Sequence, residues 1–283
     1  MPAARKRTIL LVLAALLLAG AAWWIYPKLL RRFYHHGLSL VTVAQGLDTP
    51  WTFAFLPDGG ILVTERAGRM RIVDRGGRAG EPIAGLPPVH ASGEGGLLDV
   101  ALDPKFAENR MIYWSYSEPA ADGRGGASTA VARGRLEADR VASVAVIFRQ
   151  REKLDDGLHF GSRLLFAPDG RLFITLGDRS RRPDAQRLDS DHGKILRIEP
   201  DGGIPAGNPF AGRSPALGAI WTYGHRNVQG IAFHPDSGEL WASEHGPNGG
   251  DEVNLIVAGR NYGWPVITYG CEYRTCNKIG EGT

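Results

Sequence analysis

Cysteine is nearly absent from these 283 residues: Cys271 and Cys276, in the string Cys-Glu-Tyr-Arg-Thr-Cys, are the whole complement. That excludes a disulfide-built scaffold, and without further Cys or His at ligand spacing it argues against a zinc site. In an exported chain the pair would close one small surface disulfide; otherwise it remains two free thiols. A basic surplus is missing too. The net charge of +3 comes from the first 38 residues, which hold six basic and no acidic side chains and leave 27 basic against 30 acidic, or −3, in the body. Without a stripe of Lys and Arg to neutralise phosphates, nucleic-acid binding is excluded. Sustained helical periodicity is absent from the body, which weakens any α/β reading.

Long apolar runs are absent except one. After Arg5-Lys6-Arg7 comes a charge-free, Leu- and Ala-rich stretch from Thr8 to Pro27. This is the form of an export signal, and its length matches the roughly 20 residues that span a bilayer. It is longer than the core of a cleavable signal, although Ala19-Gly20-Ala21 resembles a cleavage site. The expectation is a signal anchor or signal peptide over 1–38. It would hold a body of 39–283 in the periplasm or otherwise outside the cytoplasm, anchored to the inner membrane by residues 8–27. Basic residues flank both sides of the run, so the positive-inside rule does not orient it.

What is abundant is punctuation: 38 Gly and 18 Pro, about a fifth of the chain, with no collagen-like period. Many tight turns mean many short strands. Four copies of one unit are readable, an apolar stretch ending at Pro-Asp or Asp-Pro, a turn, and a second apolar stretch. They are Trp51–Glu65, Leu97–Tyr116, Arg163–Asp178 and Gly230–His245. Their flanks are rich in Phe, Ile, Val, Tyr and Trp, as strands require. Their prolines, 57, 104, 168 and 235, lie 47, 64 and 67 residues apart, which fits blades of about four strands. An all-β propeller with four to five visible blades is therefore expected over a β-sandwich. Because a propeller needs a last blade to remove its open edges, one or more C-terminal blades are expected to be missing from this sequence.

Four Gly- and His-containing strings fall where propeller loops converge on a central channel. In Ser92-Gly93-Glu94-Gly95-Gly96 the glycines let backbone approach a ligand closely, or simply form a loop. In Leu158-His159-Phe160-Gly161-Ser162-Arg163 the imidazole precedes Gly177-Asp178-Arg179 by one strand-turn-strand. That path brings His159 and Asp178 to one end of a hairpin, where the carboxylate would fix the tautomer a general base needs. Gly224-His225-Arg226-Asn227-Val228-Gln229-Gly230 offers a guanidinium fork suited to carboxylates. Ser243-Glu244-His245-Gly246-Pro247-Asn248-Gly249-Gly250-Asp251-Glu252 combines carboxylates and loop carbonyls, the oxygen donors a calcium ion uses, although the spacing is not that of an EF-hand. Each string also has a bland reading as a structural His or a hydrated loop.

Taken in order, these strings resemble the quinoprotein glucose dehydrogenases and aldose sugar dehydrogenases of the glucose/sorbosone dehydrogenase family. The likeness runs from about Leu47 to the C-terminus. Its most specific parts are Gly224–Gly230, Glu244–Asn254, Gly259–Pro265, and His159–Gly170 with Leu176–Arg179. The resemblance implies a six-bladed propeller that binds pyrroloquinoline quinone (PQQ) and calcium and oxidises an aldose at C1 to the lactone. By the same resemblance His159 is the general base, Asp178 its orienting partner, and Arg226 and Asn227 the contacts to the quinone oxygens. The carbonyls of Gly246 and Pro247 would hold the cofactor calcium; Glu252 and the Tyr262 carbonyl, supported by Asp251, would hold a second, structural one. Two departures stand out. Glu94 occupies the cofactor-contacting position where relatives usually carry Gln, setting a carboxylate near an anionic cofactor. The basic residues that face the PQQ carboxylates would fall beyond Thr283. The expected partners are a small sugar and an electron acceptor that the sequence does not name; a calcium-dependent lactonase-like propeller and a non-catalytic surface-binding propeller are the competing classes.

Overall fold

The structure, a computed structural model, describes residues 39–121 and 125–281. The expected leader, with its apolar run 8–27, lies outside the described residues. Among the described residues no helix is long and apolar enough to cross a membrane. Residues 44–283 form one compact unit.

Each of the four sequence repeats becomes the first hairpin of an antiparallel meander. The first sheet is β1 (Pro50–Phe55), β2 (Ile61–Glu65) and β3 (Arg69–Val73); the second is β4 (Leu97–Leu102), β5 (Met111–Pro119), β6 (Ala127–Leu136) and β7 (Val141–Arg149). The third is β8 (Leu164–Phe166), β9 (Leu172–Leu176), β10 (Lys194–Ile198) and β11 (Ile220–Tyr223), and the fourth is β12 (Val228–Phe233), β13 (Leu240–Glu244) and β14 (Glu252–Leu255). Strand order follows chain order in every sheet, as in the blades of a β-propeller. The Pro-Asp-Gly turns close tightly: Leu56 N–H donates to Gly60 O at 2.8 Å, and Ala167 N–H to Arg171 O at 2.8 Å. The second repeat, with the longer spacer Pro-Lys-Phe-Ala-Glu-Asn, instead forms a single helical turn, α1 (Phe106–Asn109).

Successive sheets pack face to face. Leu62, Met70, Leu97 and Trp114 fill the space between the first and second, Tyr113, Val131, Leu172 and Leu196 that between the second and third, and Phe173, Ile195, Val228 and Leu240 that between the third and fourth. A sheet covered on both faces has little use for polar alternation, which is why β9, Leu-Phe-Ile-Thr-Leu, is buried at every position. One polar device recurs at each junction. A hydroxyl on the second strand donates to a carbonyl at the start of the next sheet: Thr64 to Leu98 and Ser115 to Ser162, both at 2.6 Å, and Thr175 to Val228 at 3.0 Å. The corresponding residue of β13 is Ser243, which is exposed.

The first strands converge on one axis, and Arg163 marks the convergence. From the residue before β8, its guanidinium donates to Gln229 O at 2.8 Å and Thr52 Oγ1 at 3.3 Å, lies 3.4 Å from Asp99, and stacks over the Trp51 ring at 4.6 Å. One side chain thus touches the innermost strands of the three other sheets.

Candidate active site at the ends of the inner strands

The loops leading into β4, β8 and β12, with the loop after β13, surround two adjoining cavities. Each has a volume of about 310 Å³, and they share Glu94, Asn227 and His245 in their walls. Together they fall in the size range of small-molecule sites. The first is completed by Thr49, Trp51, Arg66, Leu98, Phe160, Gly161 and Gln229; the second by His159, Arg226, Gly246, Pro247, Asn248, Gly249, Asp251 and Tyr273. His159, Arg226 and the Gly246-Pro247 loop, drawn from three distant strings, therefore meet in one cavity.

His159 faces this space with a left-handed backbone, φ 51°. Such a conformation is rare outside glycine and persists only where surrounding contacts hold it. Gly177 explains the tight seat, since a Cβ there would lie 1.8 Å from His159 O. The His159 Nδ1 is 2.6 Å from Asp178 Oδ1. The other oxygen of this fully buried carboxylate accepts Trp264 Nε1–H at 2.7 Å, and Oδ1 also accepts Ser180 N–H at 3.0 Å. With acceptors only on Asp178, Nδ1 must be the imidazole's donor, which leaves Nε2 as the basic nitrogen. Beneath this loop Arg179 is buried. Its guanidinium donates to Leu158 O at 2.6 Å and Ala127 O at 2.9 Å, pairs with Asp156 at 2.7 Å and lies 3.8 Å over the Phe160 ring. Burial pushes its pKa down, against the pairing with Asp156.

The third and fourth strings are locked together by a pair that residue patterns did not single out. His225 Nδ1 lies 2.8 Å from Glu244 Oε1, its Nε2 lies 2.9 Å from Thr222 Oγ1, and the Tyr262 ring stacks on it at 4.6 Å. Glu244 Oε2 accepts Arg226 N–H at 2.7 Å. Arg226 then donates to the carbonyls of Gly246 at 2.6 Å and His245 at 3.1 Å, so the Gly246 oxygen that could serve a cation here serves the guanidinium. Asn227 turns its Oδ1 to Gly161 N–H at 3.1 Å and to Gln229 Nε2 at 3.1 Å.

Glu94 is turned so that Oε2 accepts the His159 backbone N–H at 2.7 Å, which directs part of its charge at the peptide rather than the cavity. Asp251 accepts Gly246 N–H at 2.8 Å and lines the His159 cavity, not the space beside Glu252. Glu252 and Tyr262 instead line, with Glu244, Trp264 and Thr268, a small cavity of about 10 Å³ that adjoins the second one at Arg226, His245 and Gly246 and has room for about one water or ion. There burial raises the Glu252 pKa, opposed by its hydrogen bond from Asn254. Among the described residues no three His, Cys, Asp or Glu side chains cluster as metal ligands, so a cation here would need carbonyl oxygens beside any carboxylate. Cys271 and Cys276 form a disulfide beside the second cavity.

Comparison with known proteins agrees with this architecture. Aldose sugar dehydrogenase YliI of Escherichia coli K12 is 48% identical over 239 residues, covering 83% of this chain and 64% of that protein. The crystal structure of the apo-form soluble aldose sugar dehydrogenase of E. coli superposes with a TM-score of 0.82 at 46% identity, over 86% of this chain and 70% of that one. A PQQ-bound aldose sugar dehydrogenase from Streptomyces coelicolor superposes with a TM-score of 0.72 at 35% identity, over 86% and 69%. The chain thus spans just under two thirds of YliI. The family model described as Glucose / Sorbosone dehydrogenase matches residues 47–283, and the chain, a β-propeller with this shared set of strings and loops, belongs to that family.

Proposed function

We propose that this chain belongs to an enzyme that oxidises aldose sugars at C1 to the lactone, using PQQ and calcium, outside the cytoplasm. The observation that carries the reading is the meeting of the His159–Asp178 pair, Arg226 and the Gly246-Pro247 loop around one cavity. The donor set suits a flat, oxygen-rich anionic cofactor, with a guanidinium, an amide and loop carbonyls on one wall and a glycine-rich turn on another. Gly246 itself admits no side chain, since a Cβ there would meet Gly250 O at 2.3 Å, so the backbone can approach a ligand directly.

Arg226 and Asn227 would hold the quinone oxygens, and Glu94 borders the same space. The Gly246 and Pro247 carbonyls would hold the cofactor calcium once Arg226 swings from Gly246 O to the cofactor. Glu252 and the Tyr262 carbonyl would hold a second calcium, and Asp251 would steady the Gly246 loop. When bound, the cofactor would supply the two-electron acceptor for the hydride released from C1. His159 Nε2 takes the C1 hydroxyl proton, and the buried Asp178 stabilises the resulting imidazolium. Arg226 supplies a fixed positive charge where negative charge develops. The Cys271–Cys276 disulfide supports an oxidising compartment, in keeping with the expected export leader.

The test is to incubate the protein with calcium and PQQ and to follow reduction of an artificial electron acceptor by a panel of aldoses. Aldose-dependent turnover that is lost on chelation or without PQQ supports the reading; no turnover with any aldose refutes it.

A further inference from the structure

The second cavity has one aromatic wall, and it stands at the mouth. Tyr273 is 56% exposed, with Glu94, His245 and Asp251 exposed as well, whereas Arg226 at 7% and Asn227 at 3% form the buried part of the wall. The remaining lining of this cavity is charged or amide side chains, imidazoles, glycine and proline. A pyranose has polar rims and apolar C–H faces, so a site that recognises it needs a flat apolar surface as well as hydrogen-bonding groups. Tyr273 is that surface here, and its hydroxyl makes no hydrogen bond among the described residues.

The backbone that carries the ring is held by its own short loop. The disulfide between Cys271 and Cys276 closes the loop covalently, and Cys276 N–H donates across it to Glu272 O at 2.9 Å. Cys271 exchanges backbone hydrogen bonds with Asn248 at 3.1 and 3.2 Å, which ties the loop to the Gly246–Asp251 turn. Glu272 grips Arg182 with both carboxylate oxygens, and Arg182 lies 5.5 Å from the Trp264 ring, whose N–H holds Asp178. A tyrosine side chain has only two rotatable bonds, so on backbone anchored in this way it loses little conformational freedom when a ligand packs against it.

We propose that Tyr273, presented by the Cys271–Cys276 loop, is the wall against which the non-reacting part of the sugar ring packs, and so a specificity-determining residue for pyranoses. This rests on the aldose reading above. Buried groups meet the cofactor first; the sugar arrives from solvent afterwards and meets the exposed ring. The structure places no catalytic duty on Tyr273, so its effect belongs in sugar affinity and not in the chemical step.

The experiment compares wild type, Tyr273→Ala, Tyr273→Phe and Cys271→Ser/Cys276→Ser, each loaded with PQQ and calcium. Calorimetry measures binding of 1,5-anhydroglucitol, a pyranose that lacks the reacting hydroxyl, and steady-state kinetics measures KM and kcat for glucose. Tyr273→Ala is expected to weaken both sugar affinities about tenfold, with kcat within about threefold and PQQ affinity unchanged; Tyr273→Phe keeps most of the affinity, and the disulfide variant falls between. Unchanged sugar affinity in Tyr273→Ala overturns the inference, as does a loss of PQQ affinity equal to the loss for sugar, which would make the ring a cofactor wall. Absence of aldose turnover in wild type instead overturns the reading on which it rests, before any variant is compared.

Discussion

Replacing Asp178 by asparagine changes one atom and conflicts with two of the three hydrogen bonds the carboxylate accepts. Both carboxylate oxygens of Asp178 accept: Oδ1 lies 2.6 Å from His159 Nδ1 and 3.0 Å from Ser180 N, and Oδ2 lies 2.7 Å from Trp264 Nε1. An indole nitrogen can only donate, so the amide introduced by Asp178→Asn would keep its oxygen toward Trp264 and turn its NH₂ toward the imidazole. His159 would then have to accept at Nδ1 and carry its proton on Nε2, the nitrogen that should take the substrate's proton. The substitution also costs the part-buried hydrogen bond from Ser180 N–H, about 0.5–1.5 kcal/mol in stability. Loss of a correctly protonated general base is worth roughly 10²- to 10⁴-fold in rate, or about 3–5 kcal/mol of barrier. Nitrogen-15 NMR of the imidazole reads the tautomer directly and needs no cofactor, while kcat of the PQQ-loaded protein reads the rate. An unchanged Nδ1–H tautomer together with kcat within about threefold of wild type would refute the reasoning.

Three further perturbations test other parts of the account. Trp264→Phe keeps an aromatic ring against Arg182 but removes the donor to Asp178, and should cost about 1–3 kcal/mol in urea unfolding; a loss below about 0.5 kcal/mol would show that the bond does not hold the carboxylate. Thr175→Val removes the hydroxyl that donates to Val228 O and accepts Arg163 N–H between the third and fourth sheets, and should cost about 2–3 kcal/mol by the same measurement. Lys194 is wholly buried, its ammonium donating to the carbonyls of Asp184, Ala185 and His192, and burial pushes its pKa down to about 7 from 10.5. Between those values the unfolded chain binds a proton the folded one lacks, so stability should rise with pH by up to about 1.4 kcal/mol per unit and the rise should vanish in Lys194→Met. A flat profile from about pH 7 to 9.5 in wild type would mean that the three carbonyls keep the ammonium charged.

Much of this was legible in the chain because it depended on local pattern. The four Pro-Asp repeats each reported a first hairpin, and the strings around His159, Arg226 and Gly246 reported the loops that close on the axis. The third and fourth strands of each sheet were harder to see: β6 and β7, for instance, lack the Pro-Asp signal and carry Gly134 and several arginines. The hydroxyl at Thr64, Ser115, Thr175 and Ser243 occupies the same place in every repeat, yet without the packing of adjacent sheets nothing identifies it as a junction. Longer reach hid more. Trp264 meets Asp178 across 86 residues, and Arg163 meets Thr52 across 111. Glu94 shows the opposite limit: its charge was evident, but its acceptance of the His159 N–H, which redirects that charge, depends on how two loops fold together. The hydrogen bond that Asp251 accepts from Gly246 N–H is likewise a matter of loop shape.

The central claim is that His159, Arg226 and the Gly246-Pro247 carbonyls line a single site for quinone and calcium together. Thermal unfolding of the protein with PQQ alone, calcium alone and both addresses it most directly, because a ligand that binds only the native state must raise its stability, by about 2.7 kcal/mol at a hundred times its Kd. The account predicts that the two together raise the midpoint by more than the sum of their separate effects, and that Arg226→Ala abolishes the excess. Additive shifts, or none from PQQ at any calcium concentration, would contradict it.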